Sequence, residues 1–416
     1  MTPNTRLQAA IDLLDRIEAE APAADWIMRD HFRRRRYAGS GDRRAVGQAV
    51  FAVLRQRGIL DWRLQQAGLV PDNRLRLFLS TIMQPDAPHL PREEAPHGPA
   101  PVTDAEATAL AAAAGCDGEA APLPSRMSFP AHLLDDLAET FGDDLPAAMQ
   151  AQMLDVAAVD IRVNAQSSDR ETVLARLKAD GIDAEPFGWT GNTIRLAGRP
   201  NLNDHPLMQE GRIEVQDAGS QLVAALVAVA PGQQVADFCA GAGGKALAMG
   251  AQMANKGELH ALDIDVRRLE RLRTRATRAG VRNIQTRRIE PAGDLAAQLV
   301  GHMDRVLVDA PCSGSGTWRR QPEQRWRLDE ARLAQHQARQ IEIAERASGL
   351  LRPGGLLVYV TCSILRAENE MVVTEMLRRV PHLARVGCRD VGPACGLSLP
   401  GGPGDAAADP ARCPPW

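Results

Sequence analysis

The 416-residue sequence predicts an α/β chain: a doubly wound, mostly parallel sheet preceded by a small α+β module and an N-terminal helical domain. Three observations carry this prediction. From about residue 215, apolar runs of strand length alternate with amphipathic stretches of helix length, the order that gives a parallel sheet covered by helices on both faces. Residues 5–80 instead place Leu7, Ala10, Ile11, Leu14 and Ile17, then Val46, Val50, Val53 and Leu54, at helical spacing with no alternating stretch. Between Gln84 and Pro101, six prolines rule out a helix or a central strand.

A chain of this length can bury sizeable cores and needs no disulfide or metal staple. The net charge of −3 excludes a histone-like polycation but leaves room for local basic patches. Seven cysteines (116, 239, 312, 362, 388, 395, 413), an odd number without a Cys-x-x-Cys pair, argue against a zinc site or a disulfide framework. The amphipathic, charge-rich start and the lack of an uncharged run of bilayer length point to a cytoplasmic chain with no membrane partner. Only Lys178, Lys245 and Lys256 among the 49 cations are lysines. A lysine kept inside a glycine loop, Lys245, suits a need for a compact point charge.

Taken in order, residues 1–83 form the helical domain, which carries the run Phe32-Arg33-Arg34-Arg35-Arg36-Tyr37. Such a run is either a solvated helix face or a set of guanidinium forks for phosphate. Residues 84–126 read as a Pro/Ala-rich linker with one short helix, opened by Thr103 and Glu106 as a capping box and stopped by Gly115. Residues 127–214 read as the small module: a helix Pro130–Phe141, a strand Val159–Asn164, a helix opened at Ser168 with Glu171 three residues on, and strands at 182–184 and 193–197. Residues 215–390 hold the sheet, with strands Gln234–Phe238, Gly257–Leu262, 282–288, Asp304–Val308 and Gly355–Val360. Residues 391–416, rich in glycine and proline, read as a disordered tail.

Two cysteines follow buried strands directly: Cys312 in Asp309-Ala-Pro-Cys-Ser-Gly-Ser-Gly316, and Cys362 in Thr361-Cys-Ser363. Because the carboxyl ends of parallel strands form the ligand crevice, both thiols are expected at one site; the bland alternative is two inert buried cysteines. The first sheet strand runs into Asp237-Phe-Cys239-Ala-Gly241-Ala-Gly243-Gly244-Lys245-Ala246. A phosphate-binding P-loop is excluded, since Cys239 stands where its first glycine and Ala246 where its hydroxyl should be. Gly241, Gly243, Ala246 and Asp263 satisfy a dinucleotide fingerprint, and S-adenosylmethionine, also an adenosine ligand, would suit the same loop and acid. The loop by itself leaves both open.

These motifs, together with Arg162-Val-Asn164, Val215-Gln-Asp-Ala-Gly-Ser-Gln221, Arg319-Arg320 and Glu368-Asn-Glu370, closely resemble the Nop/Sun family of RNA (cytosine-5) methyltransferases, including the bacterial small-subunit ribosomal RNA methyltransferase B group. The helical start more loosely resembles an antitermination-factor-like RNA-binding module. The resemblance implies a class I, Rossmann-like methyltransferase fold, S-adenosylmethionine as cofactor, and RNA as partner, ribosomal RNA first and transfer RNA second, for a chain acting as a monomer. It implies that Cys239, Ala240, Gly241, Ala242, Gly243, Gly244 and Lys245 form the cofactor loop, that Asp263 holds the ribose, and that Asp309 lies between cofactor and target base. It assigns the covalent attack on cytosine to Cys362 and the release step to Cys312, giving methylation of carbon-5. The chain departs from the family pattern after the third sheet strand, where Arg287-Arg288-Ile289-Glu290 stands in place of the usual acid, and at its C-terminus. The competing functions are an RNA-binding ribosome-assembly factor with weakened catalysis and, from the glycine fingerprint alone, an NAD-dependent oxidoreductase.

Overall fold

The computed structural model describes residues 1–85, 89–188, 190–291, 293, 295, 297–391 and 397. The chain forms two compact units. One comprises Met1–Val156, Ser313–Leu333 and Cys362–Arg366, and the other Ala157–Cys312, Ala334–Thr361 and the residues from Ala367 onward.

The first unit opens with five helices, α1 (Pro3–Ala19), α2 (Ala24–Arg34), α3 (Ser40–Gln66), α4 (Asn73–Ile82) and α5 (Asp104–Gly115). Side chains supply their first acceptors: Thr2 for α1, Asp72 for α4, and for α5 the reciprocal Thr103–Glu106 capping box that the sequence spacing predicts. Leu13, Leu14, Ile17, Ile27, Val50, Leu60, Leu64 and Phe78 form the core, which Val102, Leu110 and Ala113 join from beyond the proline stretch. A second cluster packs Phe129, Leu133, Leu137, Met149 and Met153 with Trp318, Leu328, Ile364 and Leu365. Three segments far apart in sequence thus share one apolar core.

In the second unit a small antiparallel sheet comes first: β1 (Val159–Val163), β2 (Ala184–Pro186), β3 (Thr193–Leu196) and β4 (Ile213–Val215), ordered β2-β3-β1-β4. The helix after β1, Arg170–Ala179, is capped by Asp169 rather than Ser168, because the two Asp169 carboxylate oxygens accept both the Thr172 N–H (2.8 Å) and its hydroxyl (2.7 Å). That helix ends on left-handed Gly181, and Ile182 donates its N–H to the Leu177 carbonyl. The cap consumes Ile182, so β2 starts two residues later than the pattern suggests.

The larger sheet is wholly parallel: β5 (Gln234–Asp237), β6 (Glu258–Asp263), β7 (Ile284–Arg288), β8 (Met303–Asp309) and β9 (Leu351–Val360), in the order β7-β6-β5-β8-β9. Alternate strand residues face opposite layers: Val235, Leu259, Ala261 and Leu307 enter one buried cluster, and Ala236, Leu262, Val306 and Val308 the other. This is the doubly wound sheet that the sequence predicts. Its strand order reverses between β5 and β8, which makes their carboxyl ends the ligand crevice. The family motifs of the small sheet turn out to be staples: Asn164 donates to the carbonyls of Gly211 (2.9 Å) and Ala279 (2.8 Å), and Arg162 to the Gln216 side chain (2.6 Å). Glu214 on β4 pairs with Arg275 and Arg278 of the helix Val266–Ala279. The expected tail lies outside the described residues except for Val391 and Leu397.

Candidate active site

Asp237 closes β5, and the chain turns through Cys239–Gly243 into the helix Gly244–Gln252. Gly243 adopts φ +84°, and a Cβ there would lie 2.4 Å from Leu272 Cγ, so no other residue can make this turn without moving the helix behind it. The loop is held from three sides. Asp263 at the end of β6 accepts the Gly241 N–H at 2.7 Å and the Asp265 N–H at 2.8 Å with its two oxygens, Arg275 donates to the Ala242 carbonyl at 2.6 Å, and Ala240 donates to Leu262. Lys245, in the first turn of the helix, reaches Asp309 at the end of β8 at 2.6 Å. Every residue expected at the cofactor, Cys239, Ala240, Gly241, Ala242, Gly243, Gly244, Lys245, Asp263 and Asp309, is therefore at the carboxyl edge of this sheet. Burial, then the Asp237, Asp263 and Asp309 carboxylates, push the Cys239 thiol far up.

Asp237 itself was not among the expected site residues. It is buried, its Oδ1 has no hydrogen-bond partner, and burial, then Asp309, raise its pKa to about 7 against the pull of Lys245. An unmatched buried carboxyl oxygen is costly unless a ligand completes it. Asp237, Asp263 and Asp309 stand at the loop beside Lys245, a setting that suits a ligand bearing a sulfonium and an ammonium better than a pyrophosphate. The signal available in sequence was an acid ending a buried strand directly before a glycine loop.

The two thiols leave adjacent strands. The β8–β9 register pairs Asp309 with Val360, so the chain reaches Cys312 three residues past one strand partner and Cys362 two past the other. Cys312 is half-buried and Cys362 exposed. Around Cys312, Ala310 donates to Val360, and the buried amide of Gln340 donates both to the Pro311 carbonyl (3.0 Å) and to Glu368 Oε1 (2.9 Å). The Thr361 hydroxyl donates to Asn369 (2.7 Å), which accounts for two members of the Glu368-Asn-Glu370 motif. Around Cys362, Gly316 donates its N–H to the Cys362 carbonyl at 2.9 Å, and the buried Ser315 hydroxyl accepts the Ile364 N–H at 2.8 Å and hydrogen-bonds Ser363. A Cβ on Gly316 would sit 2.9 Å from that carbonyl oxygen, so the Gly-Ser-Gly stretch is the seat of the Cys362 loop. Glu290 lies just past β7 and pairs with Arg288 at 3.2 Å.

Elsewhere in the first unit, Arg29, Arg33, Arg43 and Phe32 border an open groove of about 600 Å³. Arg33 and Arg34, from the arginine run, share Asp30. Among the described residues no group of His, Cys, Asp and Glu could hold a metal ion, and no helix is long and apolar enough to cross a membrane.

Known proteins were compared with this chain. Residues 224–392 match the model of the 16S rRNA methyltransferase RsmB/F family, and residues 129–203 that of an RsmF/B-like ferredoxin-like domain. The ribosomal RNA small subunit methyltransferase B of Xylella fastidiosa strain Temecula1 is 36% identical over 290 residues, covering 68% of this chain and 66% of the relative. That of Xanthomonas campestris pv. campestris is 34% identical over 359 residues, covering 81% and 80%. For other relatives of this description the alignment spans 60% or 51% of their length, so the chain spans between about half and two thirds of several curated relatives. A solved methyltransferase homolog protein from Pyrococcus horikoshii has a TM-score of 0.53 at 27% identity, covering 62% of this chain and 81% of that one. The chain belongs to the RsmB/F family of 16S rRNA methyltransferases, and its parallel sheet is the class I, S-adenosylmethionine-dependent methyltransferase fold of that family.

Proposed function

We propose that this chain methylates carbon-5 of a cytosine in small-subunit ribosomal RNA through a covalent cysteine–cytosine adduct, with Cys362 as the nucleophile and Cys312 as the base that permits release. The observation that carries the reading is the Asp309–Val360 register: Cys312 follows one strand of this pair by three residues and Cys362 the other by two, which supports a shared role for the two thiols. The orphaned Asp237 Oδ1 and the carboxylate-rich loop support S-adenosylmethionine, which when bound supplies an electrophilic methyl group on a sulfonium.

Carbon-5 of cytosine is a weak nucleophile. The Cys362 thiolate donates its electron pair to carbon-6, and the C5–C6 π pair moves to make carbon-5 electron-rich; carbon-5 would then bond the methyl group as the sulfonium–methyl bond breaks and its pair stays on sulfur, leaving a neutral thioether. Cys312 as thiolate then removes the carbon-5 proton, the freed pair restores the C5–C6 double bond, and the Cys362–carbon-6 bond breaks with its electrons returning to sulfur. Asp309, held by Lys245, is assigned the exocyclic amine and ring nitrogen of the base. Carbon-6 is inaccessible within a stack, so the target is single-stranded or flipped out. The arginine-lined groove beside α2 supports phosphate contact by the helical unit.

The roles are sequential, and a 16S rRNA transcript containing 5-fluorocytidine, which blocks release, separates them. Cys362→Ala is expected to give no cross-linked species on a denaturing gel, whereas Cys312→Ala attacks and methylates natural cytosine but accumulates the adduct. The reversed pattern would make Cys312 the nucleophile, and normal turnover in both variants would mean that neither thiol reacts.

A further inference from the structure

The segment Ser313–Leu333 belongs to the first unit, and its two ends do different things. At one end Gly316 and Ser315 hold the backbone of Cys362 and Ile364. At the other, Arg327 donates to four backbone carbonyls at the α1–α2 turn: Ile17 (2.6 Å), Glu20 (2.7 Å), Ala21 (2.8 Å) and Pro22 (3.2 and 3.3 Å). These include carbonyls that the last turn of α1 leaves without helical partners. Four residues earlier, Glu323 accepts the N–H of Ala24, the first residue of α2, at 3.1 Å. Ala23 offers no capping side chain, so Glu323 is the cap of α2, supplied from 299 residues away. Between the two ends Trp318 and Arg325 are buried: Trp318 lies in the cluster with Ile364 and Leu365, and Arg325 donates to the carbonyls of Ser128 and Met153.

We propose that Arg327 and Glu323 are positioning residues for the covalent step: by clasping the α1–α2 turn they fix the segment that holds Cys362 in its reactive conformation. The inference rests on Cys362 being the nucleophile. A surface loop of this length would need no five-bond arginine clasp to stay folded, since Trp318 and Arg325 already anchor its middle. The clasp adds a fixed orientation of both ends, and with it α2, which bears the arginine groove, shares a frame with the thiol. The helical unit therefore does more than hold RNA.

The test uses the full-length protein and compares Arg327→Met, which keeps the aliphatic stem and deletes the donors, with Arg327→Lys and Glu323→Ala. Single-turnover adduct formation on the 5-fluorocytidine transcript is expected to slow by about tenfold to a hundredfold in Arg327→Met. Arg327→Lys recovers part of the rate, while calorimetric S-adenosylmethionine affinity and filter-binding RNA affinity stay at wild-type values. The pH–rate profile falls in height without moving its midpoint, because the thiol is displaced rather than retitrated. A folded Arg327→Met that forms adduct at the wild-type rate overturns the proposal, as does a rate loss matched by an equal loss of cofactor affinity, which signals general loosening. Should Arg327→Met fail to fold, Glu323→Ala decides: a slowed adduct at intact cofactor affinity supports the clasp, and a wild-type rate overturns it. No adduct from the wild-type protein would instead remove Cys362 as nucleophile, and the clasp with it.

Discussion

Cys312 and Cys362 follow neighbouring strands of one sheet, yet the hydrogen bonds around each come from different side chains. The Cys312 loop is held inside the methyltransferase unit by a short relay from Glu368 through Gln340 to the Pro311 carbonyl. The Cys362 loop is held by glycine and serine of Ser313–Leu333, a segment whose far end is bolted to the helical unit by Arg327 and Glu323. The two thiols assigned successive steps thus have different side chains bonded to the backbone beside them. Damage to one support should slow one step and leave the other.

The largest effect that would sharpen this contrast is expected from Gln340→Leu. Removing the shared amide strips a donor from the Pro311 carbonyl and from Glu368, a loss of about 1–3 kcal/mol for buried partners. Adduct formation on natural cytosine should proceed at the wild-type rate while resolution slows by about tenfold to a hundredfold, so that adduct accumulates on denaturing gels. This is the opposite signature to Arg327→Met. If both variants slow the same step, the division of support between the two thiols is wrong.

A smaller effect is expected in Gly316→Ala, whose new methyl group would meet the Cys362 carbonyl at 2.9 Å and Ile364 Cγ2 at 3.2 Å. Overpacking of this kind costs about 1–3 kcal/mol, and denaturant unfolding should show it with cofactor affinity unchanged. Gly41→Ala, in open space at the start of α3, serves as the control and should move stability by no more than about 1 kcal/mol. Equal unfolding midpoints for the two variants would break the claim that Gly316 is the seat of the Cys362 loop.

A further comparison sets the two units against each other by pH. In the helical unit His31 is buried with Nε2 unpartnered, and burial, then Arg35, lower its pKa to about 4. The unfolded chain takes up a proton near pH 6.5 that the folded one refuses until about 4, so stability from this group is complete above 6.5 and falls as pH drops through that window. Asp237 has the opposite sign, since its folded value of about 7 lies above the usual carboxylate range. The folded state keeps a proton that the unfolded chain gives up near pH 4, so stability from this group is complete below about 4 and falls as pH rises to 7. Each slope is at most about 1.4 kcal/mol per pH unit. Urea unfolding of His31→Gln and Asp237→Asn between pH 4.5 and 7.5 should therefore tilt the stability profile in opposite directions, and parallel profiles would contradict it.

Much of this molecule is written in local pattern. Strand–helix alternation after residue 215, the glycine loop after the first sheet strand, and the cysteines placed directly after apolar strands were all legible, because periodicity and strand ends are properties of a few consecutive residues. The Thr103–Glu106 box was legible for the same reason, while Asp169 displaced Ser168 as a cap because a carboxylate can accept two donors at once. The family motifs could be matched in sequence, but not the work they do: Asn164 staples a strand to Ala279, and Glu368 steadies Pro311 through Gln340.

The sequence by itself determined the doubly wound sheet, the glycine loop after its first strand and the two thiols, since each follows from neighbours along the chain. Only the tertiary structure decided that Asp237 is left with an unmatched oxygen, that Cys312 and Cys362 have different supports, and that Arg327 and Glu323 close the α1–α2 turn from some 300 residues away. Hydrogen bonds to backbone carbonyls and N–H groups account for the difference. Every residue offers the same backbone partners, so nothing in the sequence around Ile17 or Ala24 marks which distant side chain will complete them.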